Sequence, residues 1–363
     1  LIVERANVQI VSGTPSSPSS ASGNVLLGYD SRDGTDALVT GTHNLVVGDG
    51  HGYESESGVI SGFQNTVAAK SATAVAGSQN LAAHEQAFLA GGGRNHAAGL
   101  QSAVLGGIDN NADGMLSVVY GGDANWAMGA SAGLMSLGGG LENQASGDFA
   151  STIGGRNNAA TAMAAVAAGG TRNKATLTYA SVSGGSDNIA SSESASVSGG
   201  SGNEASGQAA SVSGGLGNEA SGESASVTGG GNNKATVTYA SVSGGSDNEA
   251  SGESASVSGG SDNIASSESA SVSGGLGNEA SGESASVSGG SANIASGESA
   301  SVSGGSGNEA SGESASVSGG SANIASGESA SVSGGSGNKA KVYGSVVRGG
   351  VGQVVDTDEG FLP

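Results

Sequence analysis

Cysteine is absent from the 363 residues, which excludes a disulfide scaffold and any Cys-ligated zinc or iron–sulfur centre. Proline occurs 3 times, and the 70 glycines do not recur at every third residue, so a collagen-like triple helix is excluded too. Aromatic residues are 3% of the chain, and too few large apolar side chains remain to fill an ordinary globular core. Cations are scarce: 11 Lys and Arg stand against 32 Asp and Glu, a net charge of −21. Nucleic acid, whose phosphates such a chain repels, is not an expected partner. No run of 18 apolar residues occurs, so no helix is expected to insert in a membrane. Low hydrophobicity with high net charge usually signals disorder, but the chain is strongly periodic.

From Val182 onward one unit, A-S-V-S-G-G-x-x-N-x-A-S-G-E-S, recurs every 15 residues. Numbered from its first alanine, position 3 is Val182, Val197, Val212 and so on to Val347, and position 9 is Asn188, Asn203, Asn218 through Asn338. Counted backward, Asn173, Asn158 and Asn143 keep the frame; a step of 18 leads to Asn125, then Asn110, Asn95, Asn80 and Asn65 follow at 15. N-V-L-L-G from Asn24 and N-L-V-V-G from Asn44 read as irregular first turns, and the position-6 glycines from Gly28 to Gly350 count 22 coils. A unit of this length is too short for a helix pair. It fits one coil of a parallel β-solenoid. A-S-V-S-G alternates at period 2 as a strand, G-x-x-N is a turn whose Gly and Asn tolerate positive φ, x-A-S is a second strand, and the frequent glycine at position 13 makes the second turn. Coils stacked at about 4.8 Å give a rod of roughly 100 Å, with identical asparagines bonded along it as a ladder.

Position 3, with Val59, Leu89, Val104, Val119, Leu137 and then the valine series, is expected inside the coil; alanines at positions 1 and 11 complete a thin core. One buried valine contributes about 1.5–3 kcal/mol, while ordering each residue of the backbone costs about 1–2 kcal/mol, so a lone chain is poorly stabilised. Position 4 suggests the remedy. It reads Leu26, Val46, Ile60, Val75, Ala90, Leu105, Tyr120 and Ile153, then serine or threonine from Ser183 to Ser333. Val46, Ile60, Val75, Leu105, Tyr120 and Ile153 are therefore expected to form an outward apolar stripe buried against further chains. A flat monomeric solenoid of small residues is the competing reading.

The units S-V-S-G-G-x-x-N-x-A-S-G and N-L-V-V-G resemble the head repeats of trimeric autotransporter adhesins of the YadA type, over about Asn24 to Gly350. The resemblance implies a left-handed parallel β-roll, three chains side by side, and an adhesive head on a bacterial surface. Two features depart from that family. There is no heptad stalk or C-terminal β-barrel before the closing V-D-T-D-E-G-F-L-P, and two glycines stand where the family often has an isoleucine before one glycine.

At the start, Val3, Val8 and Ile10 alternate as a strand over residues 1–12, and residues 13–23 read as a flexible linker with two prolines. Irregular coils over 24–62, regular coils over 63–350 and a tail over 351–363 complete the organisation. Sheet edges at the ends of a solenoid invite pairing. Head-to-tail joining through Val3, Val8 and Ile10, by strand addition, is weighed equally with capping of the first coil. The absence of an initiator methionine and of a signal segment suggests a processed chain or a fragment.

Position 14 carries Glu193, Glu223, Glu253, Glu268, Glu283, Glu298, Glu313 and Glu328. The last six, on consecutive coils, are the candidate metal ligands, with calcium as the one ion such columns could collect. A solvated acidic face that keeps sheets apart is the favoured reading. His43, Asp49, His51 and Glu54 form a second, weaker metal candidate; His84 lacks the second histidine of H-E-x-x-H, and no serine lies in G-x-S-x-G. No organic cofactor and no enzyme activity are expected. Trp126 and Met128 sit in the 18-residue step, a protruding partner loop or, preferably, an apolar plug with Leu134 between chains. Lys174–Tyr179 and Lys234–Tyr239 should lengthen the second strand locally. The function expected is an extracellular, homotrimeric structural and adhesive rod with an unidentified host or neighbouring-cell ligand. A self-assembling filament or biofilm-matrix subunit, and an ice- or cation-binding solenoid, are the alternatives.

Overall fold

The computed structural model describes residues 23–28, 39–129, 135–357 and 361–362; Val3, Val8, Ile10 and Leu134 lie outside them. Two units, Leu1–Thr176 and Leu177–Pro363, are each a parallel β-solenoid, and among the described residues there is no helix. In the second unit the small alternating residues become two-residue strands at positions 2–3 (Ser256–Val257, Ser271–Val272) and 10–11 (Ile264–Ala265, Glu279–Ala280). Every strand residue pairs with the same position one coil on, as in Val257 with Val272 and Ala265 with Ala280. A line of single bridges at position 7, such as Ser246 to Ser261, adds a third row of pairing. The first unit repeats this design from Thr73–Ala74 onward.

Four positions face inward. In one coil Ala255, Val257, Asn263 and Ala265 are all essentially inaccessible. A fully buried amide is tolerated only because each of its bonding groups is used. The Asn263 backbone N–H donates to Asn248 Oδ1 at 3.0 Å, and Asn263 Oδ1 accepts the N–H of Asn278 at 3.0 Å. Its Nδ2 donates to Gly259 O within the coil at 2.9 Å and to Gly275 O of the next at 3.1 Å. The same set recurs at Asn203, Asn218, Asn293, Asn308 and Asn323. The asparagine is therefore the ladder residue expected, placed in the interior, and only its expected positive φ is not found.

Positive φ falls elsewhere. Position 6 is a glycine (Gly260, φ 87°), and positions 8 and 15 adopt the left-handed conformation with ordinary side chains (Asp262, φ 57°; Ser269, φ 56°). Such residues each give up about 1–2 kcal/mol. In return their N–H groups point to the preceding coil, Asp262 N to Ser246 O at 3.0 Å and Ser269 N to Glu253 O at 2.8 Å, while the strand residue Ser256 donates forward to Ala270 O at 2.9 Å. Neighbouring coils are thus tied in both directions. The second turn rests on position 15. Position-13 glycine serves a different need, since a Cβ on Gly282 would collide with the Gly297 carbonyl. Lys174–Ala175 and Lys234–Ala235 stay two residues long. The expected lengthening fails because the following residues enter this same turn, with Tyr179 and Tyr239 at φ 59°.

The first coils differ by one residue. Val46 pairs with Ile60, and Ile60 with Ala74, each 14 residues on; the missing residue is one of the two glycines after the strand. Beyond them the frame is regular except at Ala127 to Ala145, a step of 18 whose ladder bond, Asn143 N to Asn125 Oδ1, still measures 3.0 Å. The paired residues on either side of the step, Ala127 and Ser136, keep their partners on the neighbouring coils.

The two adjacent glycines make different demands. A Cβ on Gly200 (φ 87°) would meet the Gly215 carbonyl and lie 2.5 Å from Asn203 Nδ2, whereas one on Gly199 meets nothing within 4 Å. Gly200→Ala should destabilise by about 3 kcal/mol or more through strain and lost ladder bonds. Gly199→Ala should stay within about 0.5 kcal/mol of the parent. Denaturant midpoints of the two variants, compared with the parent chain, check both values.

Candidate functional site

With positions 1, 3, 9 and 11 committed to the interior, chemistry is left to the outer positions. Val182, Val197 and Val212 lie inside the second unit with Asn188, Asn203 and Asn218. The outer face of the first sheet is formed by positions 2 and 4. In the first unit this face is largely apolar, interrupted by Ser61, Thr73, Ser136, Gly138 and Ser151: Leu45, Val59 and Phe88 at position 2, and Val47, Val75, Leu105, Tyr120 and Ile153 at position 4 are all exposed, Tyr120 by 55% and Ile153 by 62%. In the second unit the same two positions hold Ser or Thr, as in Ser196 and Ser198 or Ser226 and Thr228, as far as Ser331 and Ser333; in the next coil they are Val346 and Arg348.

Two members of the expected stripe are corrected by this geometry. Val46 (6% exposed) and Ile60 (0%) are core residues, and Val59, expected inside, is outside. The cause is the 14-residue coils, since removing one residue between strand and asparagine moves every strand side chain to the other face when the frame is counted back from Asn65. Val47 and Val59 take the outward places.

Glu253, Glu268, Glu283, Glu298, Glu313 and Glu328 form a single-file exposed column, one carboxylate per coil. Among the described residues no three His, Asp or Glu side chains converge in a way that would hold a metal ion. His51 has another task. It is 3% exposed, it holds position 9 of its coil, and its ring does the work of an asparagine. Nδ1 accepts the N–H of Asn65 at 3.2 Å, and Nε2 lies 3.1 Å from Val47 O, four residues back. This pairing assigns the proton to Nε2. The sequence carried a signal for it, because G-D-G-H at Gly48 to His51 repeats the spacing of G-x-x-N.

Position 8 projects from the first turn and links coils through side chains. Arg94 donates to both carboxylate oxygens of Asp109, Nε to Oδ1 at 2.7 Å and Nη2 to Oδ2 at 2.6 Å. These bonds hold the Asp109 carboxyl below, and the Arg94 guanidinium above, their ordinary ranges. Asp247 is lowered in the same way by the Ser246 hydroxyl and the Asn232 amide. Trp126, at position 10, is 49% exposed on the single chain. It flanks a surface groove whose other lining residues are Ala124, Glu142, Asn143 and Gln144.

Because the folded-state pKa of Asp109 is depressed, its contribution is present above the unfolded-state value near 3.9 and is lost as pH falls through the folded value. A carboxyl-detected NMR titration should place the Asp109 midpoint below that of an unpaired aspartate, and Arg94→Gln should bring it back up. An unchanged midpoint in the variant would remove the pair as its cause. Compared with models of known protein families the chain matches none, and compared with curated proteins it again finds no match.

Proposed function

We propose that this chain is a structural, non-catalytic solenoid of a bacterial surface or extracellular space. On this reading it works by association of identical chains into a homotrimeric adhesive head of the kind the repeats resemble. The observation that supports the reading is the apolar outer face of the first unit, from Leu45 to Ile153, which a single chain leaves to water. A largely apolar face of that kind suits a contact surface by its physical chemistry. An identical copy is the natural occupant, because its rows of side chains repeat at the same coil spacing of about 4.8 Å and can match in register. Burying the remaining exposed half of each such side chain contributes on the order of 1 kcal/mol, and the contributions accumulate coil by coil. Repeated identical surfaces then supply attachment by avidity.

Light scattering after size exclusion tests this. The native chain should have the mass of three copies. Leu105→Glu combined with Tyr120→Glu, which places carboxylates in that face without touching the ladder, should reduce it to one with an unchanged far-UV circular dichroism spectrum. A native mass of one chain contradicts the association. A mass that grows without limit as concentration rises supports end-to-end joining in its place.

A further inference from the structure

The second sheet of the first unit carries one feature the self-association does not use. Its position-10 residues on four successive coils are His96, Asn111, Trp126 and Gln144, and Trp126 pairs with Asn111 on one side and Gln144 on the other. Trp126 is the only tryptophan of the chain, and nearly half of it faces water. Beside it is an open groove of about 370 Å³ lined by Ala124, Trp126, Glu142, Asn143 and Gln144.

The turn explains the groove. Position 8 stands in the left-handed conformation at Ala124 (φ 53°) and Glu142 (φ 55°). Ala124 is small and leaves open the space that Asp109 and Glu142 occupy on the neighbouring coils. Asn143 forms only the floor, since it is 1% exposed and its Nδ2 is spent on Gly139 O, Gly155 O and Asn125 Oδ1. The walls offer an indole, the exposed Glu142 carboxylate and the half-buried Gln144 amide, separated by one coil step of about 4.8 Å. On the other flank of Trp126, the Asn111 amide nitrogen donates to Asp113 at 2.8 Å, while Asn111 Oδ1 is buried with no donor.

We propose that this groove binds a neutral oligosaccharide, with Trp126 as the stacking platform. A hexose presents an apolar C–H face that suits an indole and a rim of hydroxyls. The hydroxyls donate to Glu142 and exchange bonds with Gln144. Charge selects among ligands: among the described residues the lining holds a carboxylate and no cation, which disfavours phosphorylated or acidic sugars. A single aromatic wall does not make the cage that quaternary ammonium ligands require. The inference rests on the adhesive reading for its purpose only. Association belongs to the first sheet, so a single-chain mass would leave the groove intact, and a failure to bind sugar would leave the association intact.

The test titrates the full chain with cellohexaose, chitohexaose, laminarihexaose and mannohexaose. Tryptophan emission reports on this site alone, and calorimetry follows the variants. At least one hexasaccharide should give a saturable emission change. Trp126→Gln, which places at position 10 the residue type found on the next coil, should abolish the calorimetric signal. Trp126→Phe should restore part of it, and Glu142→Gln should weaken binding about tenfold or more, all with unchanged circular dichroism spectra. No saturable response to any of the four sugars, binding that survives Trp126→Gln, or a response to tetramethylammonium chloride in their place would overturn the proposal.

Discussion

Each coil must offer the next the same donors and acceptors at the same spacing, and the position-9 asparagine is the residue that makes this condition self-consistent. Its Oδ1 accepts the N–H of the next asparagine, and its Nδ2 reaches one carbonyl in its own coil and one in the next. A buried amide left partly unpaired costs about 1–3 kcal/mol, so a ladder in which every member is satisfied rewards strict repetition. The position-6 glycine belongs to the same device, because the carbonyl that Asn263 Nδ2 reaches is also the atom that a Cβ on Gly260 would strike. His51 shows that the requirement is for an acceptor and a donor in fixed places, not for asparagine as such. Gln353, whose N–H donates to Asn338 Oδ1 at 2.9 Å, ends the second unit's ladder with a backbone contact alone.

An interior this uniform leaves the outside free to vary. A valine, two alanines and an asparagine suffice for each regular coil, so positions 2, 4, 8, 10 and 14 change without disturbing the stack. The first unit uses that freedom for an apolar outer face, a charged position-8 pair and the lone tryptophan. The second unit uses it for rows of hydroxyls and a column of carboxylates. Function in such a design is read from the outer columns, since the inner ones answer only to the axial repeat.

The axial frame was legible because glycine and asparagine recur at fixed distances, and so was the presence of two strands per coil. The side chains that face inward were legible only where the coil length held. At Val46 and Ile60 one missing glycine inverted the assignment, and an absence leaves no residue behind to mark it. The second turn was misplaced for another reason. Except at Gly344, its left-handed residue is Ser, Ala, Phe, Leu, Gln or Tyr, none of which announces positive φ, while the nearby glycine needed for close approach attracts the assignment. Trp126 stood out by its residue type, and the pairing of its strand places it on the outer side of its sheet.

The ladder can be observed directly, because adjacent asparagines in one coil differ only in their environment. Asn233 is fully buried at position 9, with its amide nitrogen bonded to Gly229 O and Gly245 O, and Asn232, one residue earlier, is exposed. Hydrogen exchange of the two side-chain amides, followed by NMR in the intact chain, should find Asn233 slower by about a thousandfold or more, in step with the backbone amides of the core. Equal and rapid exchange at both would mean that the asparagines do not hold the coils together, and the account built on them would fail.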